Sequence, residues 1–305
     1  MDEAREKKGL KESFFEFYHR RYKQLLIIPI ILFMLSFGIL GYKFATTGDL
    51  IARDVSLKGG VTVTVTAQQE FNVADIQQSL EKEFPGTDVL VRSLSTTGIS
   101  TGFVIDSSDI TGEQLIAAVK RLHADIHEED ISVAQTGSAL GESFFREAIL
   151  TVAIAFVLMS LVVMFYFRNL LPGLFVVLSA FADIIMPFAL MSALGIKLST
   201  AGVAAFLLLI GYSVDTDILL TTRCLKQGGM AVTERIRSAM HTGVLMTLTS
   251  FSAVTVAFFF VQSDTIKQIM FVLMLGLFFD LINTWITNAS ILRMYLEKRE
   301  NAKSA

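Results

Sequence analysis

One apolar stretch constrains this chain more than any other. Residues 198–220 read LSTAGVAAFLLLIGYSVDTDILL, long enough to cross a bilayer as a helix, yet they carry Asp215 and Asp217. A carboxylate near mid-membrane costs about 2.5–3.5 kcal/mol even on the scale from insertion experiments. So costly a residue marks an ion or proton path, or a polar contact between helices. The alternative, stronger for Asp217, is that the carboxylate lies close enough to the helix end to reach water beside Arg223.

Five further stretches have the length and hydropathy of membrane spans: 24–44, 147–167, 170–194, 240–261 and 265–296. They predict a polytopic α-helical membrane protein of six transmembrane helices, with spans 2–6 forming a bundle over 147–296. Composition agrees, since 52% of the 305 residues are hydrophobic and only 18% charged, unlike a soluble domain. The net charge of −3 gives no nucleic-acid signal. A single cysteine, Cys224, leaves no internal disulfide or cysteine-based metal site, and no motif calls for a metal or cofactor.

Segment 1–23 is polar and mixed in charge. The span 24–44 has a longer apolar core than a signal peptide and no small-residue cleavage site, so it reads as a retained anchor. Between 45 and 146 the hydrophobicity collapses and a water-soluble domain is expected. Residues 61–66 (VTVTVT) alternate with period two, as a half-buried strand does. Asn72 or Asp75 caps a helix that Pro85-Gly86 ends; strands at 87–94 and 99–105 flank a Ser-Thr-Thr-Gly turn. A helix from Thr111 to His123 and a strand at 130–135 complete β-α-β-β-α-β, an α+β ferredoxin-like domain between spans 1 and 2. Lys58-Gly59-Gly60 reads as a turn, because the lysine, hydroxyl residue and helix of a P-loop do not follow.

Basic residues set the orientation. With the N-terminus in the cytoplasm, segment 1–23, Arg168, the basic loop 223–241 and the tail 297–305 all lie inside. Both termini are thus expected to be cytoplasmic, in the cell membrane, with the ferredoxin-like domain extracytoplasmic.

In the last span Asp280, Asn283, Thr284, Thr287 and Asn288 fall on one helical face. A polar stripe in lipid must turn toward protein or water. Asp183, near the centre of 170–194, joins Asp215 and Asp280 as carboxylates on three spans with no lysine or arginine beside them. Packed together, they are expected to hold protons between them, with Asn283, Thr284, Thr287 and Asn288 leading toward the cytoplasm. On a regular helix Asp217 points about 200° away from Asp215, so Asp215 is expected to face inward and Asp217 outward. The alternative for Asp280 is an anchor that bonds a neighbour's hydroxyl.

The run 210–223 (IGYSVDTDILLTTR), followed by Asn283-Thr284-Trp285 and Asn288-Ala289, resembles the archaeal form of the SecF subunits of the SecDF protein-export complex. These belong to the resistance-nodulation-division superfamily. The resemblance covers nearly the whole chain, including Lys58-Gly59-Gly60 and the linker 137–141. It implies an accessory subunit that works with a SecD-like subunit beside the Sec translocation channel, drawing exported unfolded polypeptide outward at the expense of the proton gradient. It places Asp215 and Asp217 around the family's central aspartate and Ala182-Asp183 at a His-Asp pair. His241-Thr242-Gly243 stands where bacterial members have an arginine, and Asp280 where they have a small residue.

Two other functions fit intramembrane aspartates. A small-molecule exporter of the same superfamily usually carries two six-span halves in one chain, and this chain has one. An intramembrane aspartyl protease needs Gly-x-Gly-Asp, whereas Gly211 lies four residues before Asp215. Neither catalysis nor a nucleic-acid partner is expected.

Overall fold

The computed structural model describes residues 15, 17–67, 71–96, 99–123, 125–226, 230–261 and 263–304. Six of its helices are long and apolar enough to cross a membrane, and a small antiparallel sheet lies between the first and second of them. The turn residues 97–98 and 227–229, expected on opposite sides of the membrane, lie outside the described residues.

The first spanning helix covers Phe17–Thr47 and is interrupted at Leu26, where α1 (Ile27–Thr47) begins. Pro29 has no N–H, so the carbonyl of Leu25 loses its helical donor and the helix breaks one turn early. Gly48, in the left-handed region at φ 77°, closes α1. A one-turn helix α2 (Val55–Lys58) leads into β1 (Gly60–Thr66), then α3 (Val73–Glu83), β2 (Val89–Thr96), β3 (Ile99–Ser107), α4 (Gly112–Leu122) and β4 (Ile131–Thr136). Asn72 caps α3 by accepting from the Ala74 N–H at 3.2 Å, and Thr111 with Gln114 forms a capping box on α4.

The strands pair antiparallel in the order β2-β3-β1-β4. Val61, Val63 and Val65 of β1 are buried against Leu80 of α3, Leu115 of α4 and Phe103 and Ile105 of β3. The intervening threonines turn to the other face, as period two dictates. Each buried side chain of this size contributes about 1.5–3 kcal/mol, enough for a small sheet with two helices on one face. On the face away from the two helices Asp106, only 3% exposed, accepts from the Thr62 hydroxyl at 2.6 Å and pairs with Arg92.

From the sheet the chain enters α5 (Ser138–Phe167), then α6 (Leu170–Ala193), α7 (Thr200–Lys226), α8 (Val232–Phe260) and α9 (Asp264–Ile282). A π-helical segment, Asn283–Asn288, joins α9 to α10 (Ala289–Ser304). α6, α7 and α9 are the interior helices: half or more of the apolar core of each is buried, against small fractions of α1, α5 and α8.

A neck ties the sheet to the bundle. The α6–α7 loop meets the segment after α1, with the Asp54 N–H donating to the Leu198 carbonyl at 2.9 Å and the Leu198 N–H to the Ala52 carbonyl at 2.8 Å. The Ser192 hydroxyl donates to the Leu50 carbonyl at 2.7 Å, and Lys197 pairs with Asp88 beside β2. Where β1 begins and α5 begins, two backbones cross so closely that a Cβ on Gly141 would lie 2.3 Å from the Gly59 nitrogen.

Asp54 sits in this neck, and burial raises its carboxyl above the usual value, partly offset by the Val55 N–H that it accepts. A raised folded value means that the folded state binds more protons, so this residue's contribution falls as pH rises from the ordinary carboxylate range through the raised value. Asp54→Asn is therefore expected to raise the melting temperature at neutral pH and to lose that advantage in acid. A pH-independent difference between the two proteins would contradict this account.

Candidate functional site

Three interior helices each bring one carboxylate to the middle of the bundle. Asp183 of α6, Asp217 of α7 and Asp280 of α9 are 0, 0 and 1% exposed, and no lysine, arginine or histidine is among the buried side chains of the described residues. Each carboxylate is held by neutral donors. Asp183 accepts from the Ser213 hydroxyl and from Asn283 Nδ2 at 2.6 Å. Asp217 accepts from Asn288 Nδ2 at 2.7 Å, with Ser179 and Thr284 beside it. Asp280 accepts from Thr284 Oγ1 at 2.9 Å and, less closely, from Thr247 Oγ1 of α8 at 3.4 Å. Their donors Asn283, Thr284 and Asn288 all come from one segment, which gathers the three carboxyls around it.

Local sequence builds this cluster by disturbing regular helices. Pro187 lies four residues after Asp183 and removes the N–H that would bond its carbonyl. In the π segment the Ala289 N–H bonds the Thr284 carbonyl five residues back. The shift leaves the Trp285 carbonyl to accept from the Tyr18 hydroxyl at 2.6 Å. Such single-turn bulges occur often at functional sites. Room for the Trp285 ring comes from α8, where a Cβ on Gly243 would lie 2.2 Å from it.

The structure corrects the orientation expected of the central helix. Asp217, expected outward, is the buried one, whereas Asp215, expected inward with Asp183 and Asp280, is exposed on the outer face of α7. The 200° separation was sound, but its phase was reversed, because Ser213, Thr216 and Thr221 share the buried face with Asp217. That spacing of i, i+3, i+4 and i+8 was a readable signal. Of the polar stripe, Asn283, Thr284 and Asn288 are buried at the carboxylates, while Thr287 is half-buried and bonds none of them. Ser213, Ser179 and Thr247 are contributors that periodicity in the last span alone could not reveal. Thr249 and Ser252 of α8 are exposed and bond carbonyls of their own helix, so they join no helices among the described residues.

Residues 115–298 match the model of the family described as protein export membrane protein SecD/SecF, C-terminal. The chain belongs to the SecD/SecF family. Among its relatives, a protein-export membrane protein SecF from Pyrococcus furiosus is 37% identical over 91% of this chain and 92% of its own length. Another SecF, from Methanocaldococcus jannaschii, is 35% identical over 90% of this chain and 96% of its own. The fold resembles the crystal structure of SecDF, a translocon-associated membrane protein from Thermus thermophilus. The TM-score is 0.70 at 18% identity, over 92% of this chain but only 38% of that one. The fold of this chain thus matches part of the fold of that larger molecule, and membership in the SecD/SecF family favours protein export over small-molecule export.

Proposed function

We propose that this chain is a SecF-like accessory subunit of the Sec translocation machinery, and that Asp183, Asp217 and Asp280 carry protons through it. The observation that bears the reading is three carboxylates, on three helices, buried together without a cation. Leaving them all charged would be very costly in so dry a site, so protons are the natural counter-charge, and neutral donors on every carboxylate permit gain and loss of a proton without rearrangement. Segments 1–23 and 297–305 are cytoplasmic on this reading, and 45–146 forms a ferredoxin-like domain outside the cell membrane between the span at 24–44 and the bundle at 147–296. That domain would meet exported unfolded polypeptide as it leaves the Sec channel. The subunit moves chains and catalyses no covalent reaction.

Asp215 has a different role. With Ala204, Leu208, Gly211 and Tyr212 it lies on an exposed stripe of α7, and a carboxylate facing lipid at this depth is costly. A SecD-like subunit covers the stripe and supplies its donor. Asp215→Leu is accordingly expected to reduce copurification of the partner several-fold while leaving insertion intact; undiminished copurification would remove Asp215 from the interface.

The test of proton coupling uses the subunit with its SecD-like partner and the Sec channel in vesicles. Export should be stimulated only when a proton gradient is imposed, and stimulation should vanish when an uncoupler collapses it. Stimulation that follows a sodium gradient instead would reject protons as the driving ion. Orientation is checked separately, in a Cys224→Ser background. An impermeant thiol reagent added to intact cells should label Glu129→Cys and spare Lys298→Cys; the reverse pattern would invert the whole topology.

A further inference from the structure

Asn283 has a second environment besides the carboxylates. It lines a cavity of about 210 Å³ between α1, α6 and the π segment, together with Thr287 and the apolar side chains of Leu26, Pro29, Phe33 and Leu178. Asn283 Nδ2 is committed to Asp183, which fixes the amide and leaves Oδ1 as an acceptor. Asn283 Oδ1 and Thr287 Oγ1 are both buried, and neither has a hydrogen-bond partner among the described residues. Ile30 and Met34 also line the cavity and are exposed on the outside of α1, so its mouth faces the bilayer.

The volume and chemistry select an occupant. At about 30 Å³ per water-sized group, the cavity has room for roughly seven such groups. Water needs two to four polar partners at each position, and the walls offer two polar atoms, both on the π segment. An apolar chain satisfies the walls, and a terminal hydroxyl satisfies both orphans, donating to Asn283 Oδ1 and accepting from the Thr287 hydroxyl. We propose that this cavity is a binding site for a small amphiphile, an unbranched chain of about the length of octanol ending in a hydroxyl, which enters from the bilayer between α1 and α6. Binding does not require proton transfer. Its consequence for export rests on the function proposed above, because the same Asn283 holds Asp183.

Photolabelling tests the site in the intact subunit, with its partner, in lipid nanodiscs. The probe is octanol carrying a diazirine, with cross-links mapped by mass spectrometry. Labelling is expected to concentrate on α1 and α6 around Met34 and Leu178. Excess 1-octanol should lower it at least five-fold, and the same excess of octane should lower it much less. Ala182→Leu, which fills the cavity, and Ile30→Trp, which closes its mouth from the lipid side, should each lower it about ten-fold; the competition experiment needs no variant and stands if either fails to fold. Thr287→Val, which leaves Asn283 Oδ1 as the one polar partner, should weaken the preference for octanol over octane several-fold. Labelling spread evenly over α5 and α8, or equal competition by octane, would overturn the proposal. Specific labelling supports the site whether or not saturating octanol changes gradient-driven export, because the ligand meets Asn283 Oδ1 and leaves the Nδ2 bond to Asp183 in place.

Discussion

Asp183→Asn is expected to insert and fold but to lose gradient-driven export stimulation by ten-fold or more. The amide keeps the volume of the carboxyl and one acceptor oxygen, so either the Ser213 hydroxyl or the Asn283 amide retains its partner. It cannot carry a proton between neighbours. Asp183→Leu separates chemistry from architecture, since it strips the acceptor from both donors at a site 0% exposed. Two buried donors without partners cost about 1–3 kcal/mol each, so the leucine variant should also melt lower and assemble poorly. Both variants are read by export in vesicles beside thermal unfolding of the purified subunit. Normal stimulation in Asp183→Asn with failure in Asp183→Leu would make the residue a structural pin and end the proton reading for α6.

Gly141→Val is expected to detach the neck. The substituent would meet the Gly59 nitrogen and the Lys58 carbonyl carbon, backbone atoms that no side-chain rotation can move aside. Overpacking of this kind costs about 1–3 kcal/mol. The strain falls where α5 packs against α2, so the sheet with its two helices should keep its own core. Limited proteolysis is the direct readout: cleavage between α1 and β1 should become several-fold faster while the sheet survives as a resistant fragment. Unchanged cleavage and an unchanged melting curve would show that the crossing is looser than its geometry implies.

How far these features could be read beforehand depended on the solvent each segment meets. In the water-soluble part, alternation in residues 61–66 distinguishes inside from outside, and Asn72, Thr111 and Pro85-Gly86 mark helix ends, so elements and order were legible. Pairing of β1 with β4 as well as β3 is non-local and carried no comparable mark. Within the membrane, lipid and protein interior are equally apolar, so hydrophobic periodicity no longer separates the two sides of a helix. Only polar residues do, and in α7 the buried side is marked by Ser213, Thr216 and Thr221 together with Asp217, not by either aspartate alone. In the last span Asp280, Asn283 and Thr284 keep a regular spacing, and all three are buried as that spacing implies. Beyond that point the π segment adds a residue to the turn, which brings Asn288 to Asp217 and leaves Thr287 aside, a change of pitch with no signature in the letters themselves.

The neck has a mechanical consequence. Leu198 is stitched to Ala52 and Asp54 on both sides of its peptide, and Ser192 holds the Leu50 carbonyl, so the hairpin between α6 and α7 is anchored to the strip that carries the sheet. A tug on the sheet thus travels along a load path ending on the two helices that bear Asp183 and Asp217. The sheet is thus joined to those two helices through the short, hydrogen-bonded strip 50–54, and to α5 through the crossing of Gly59 and Gly141.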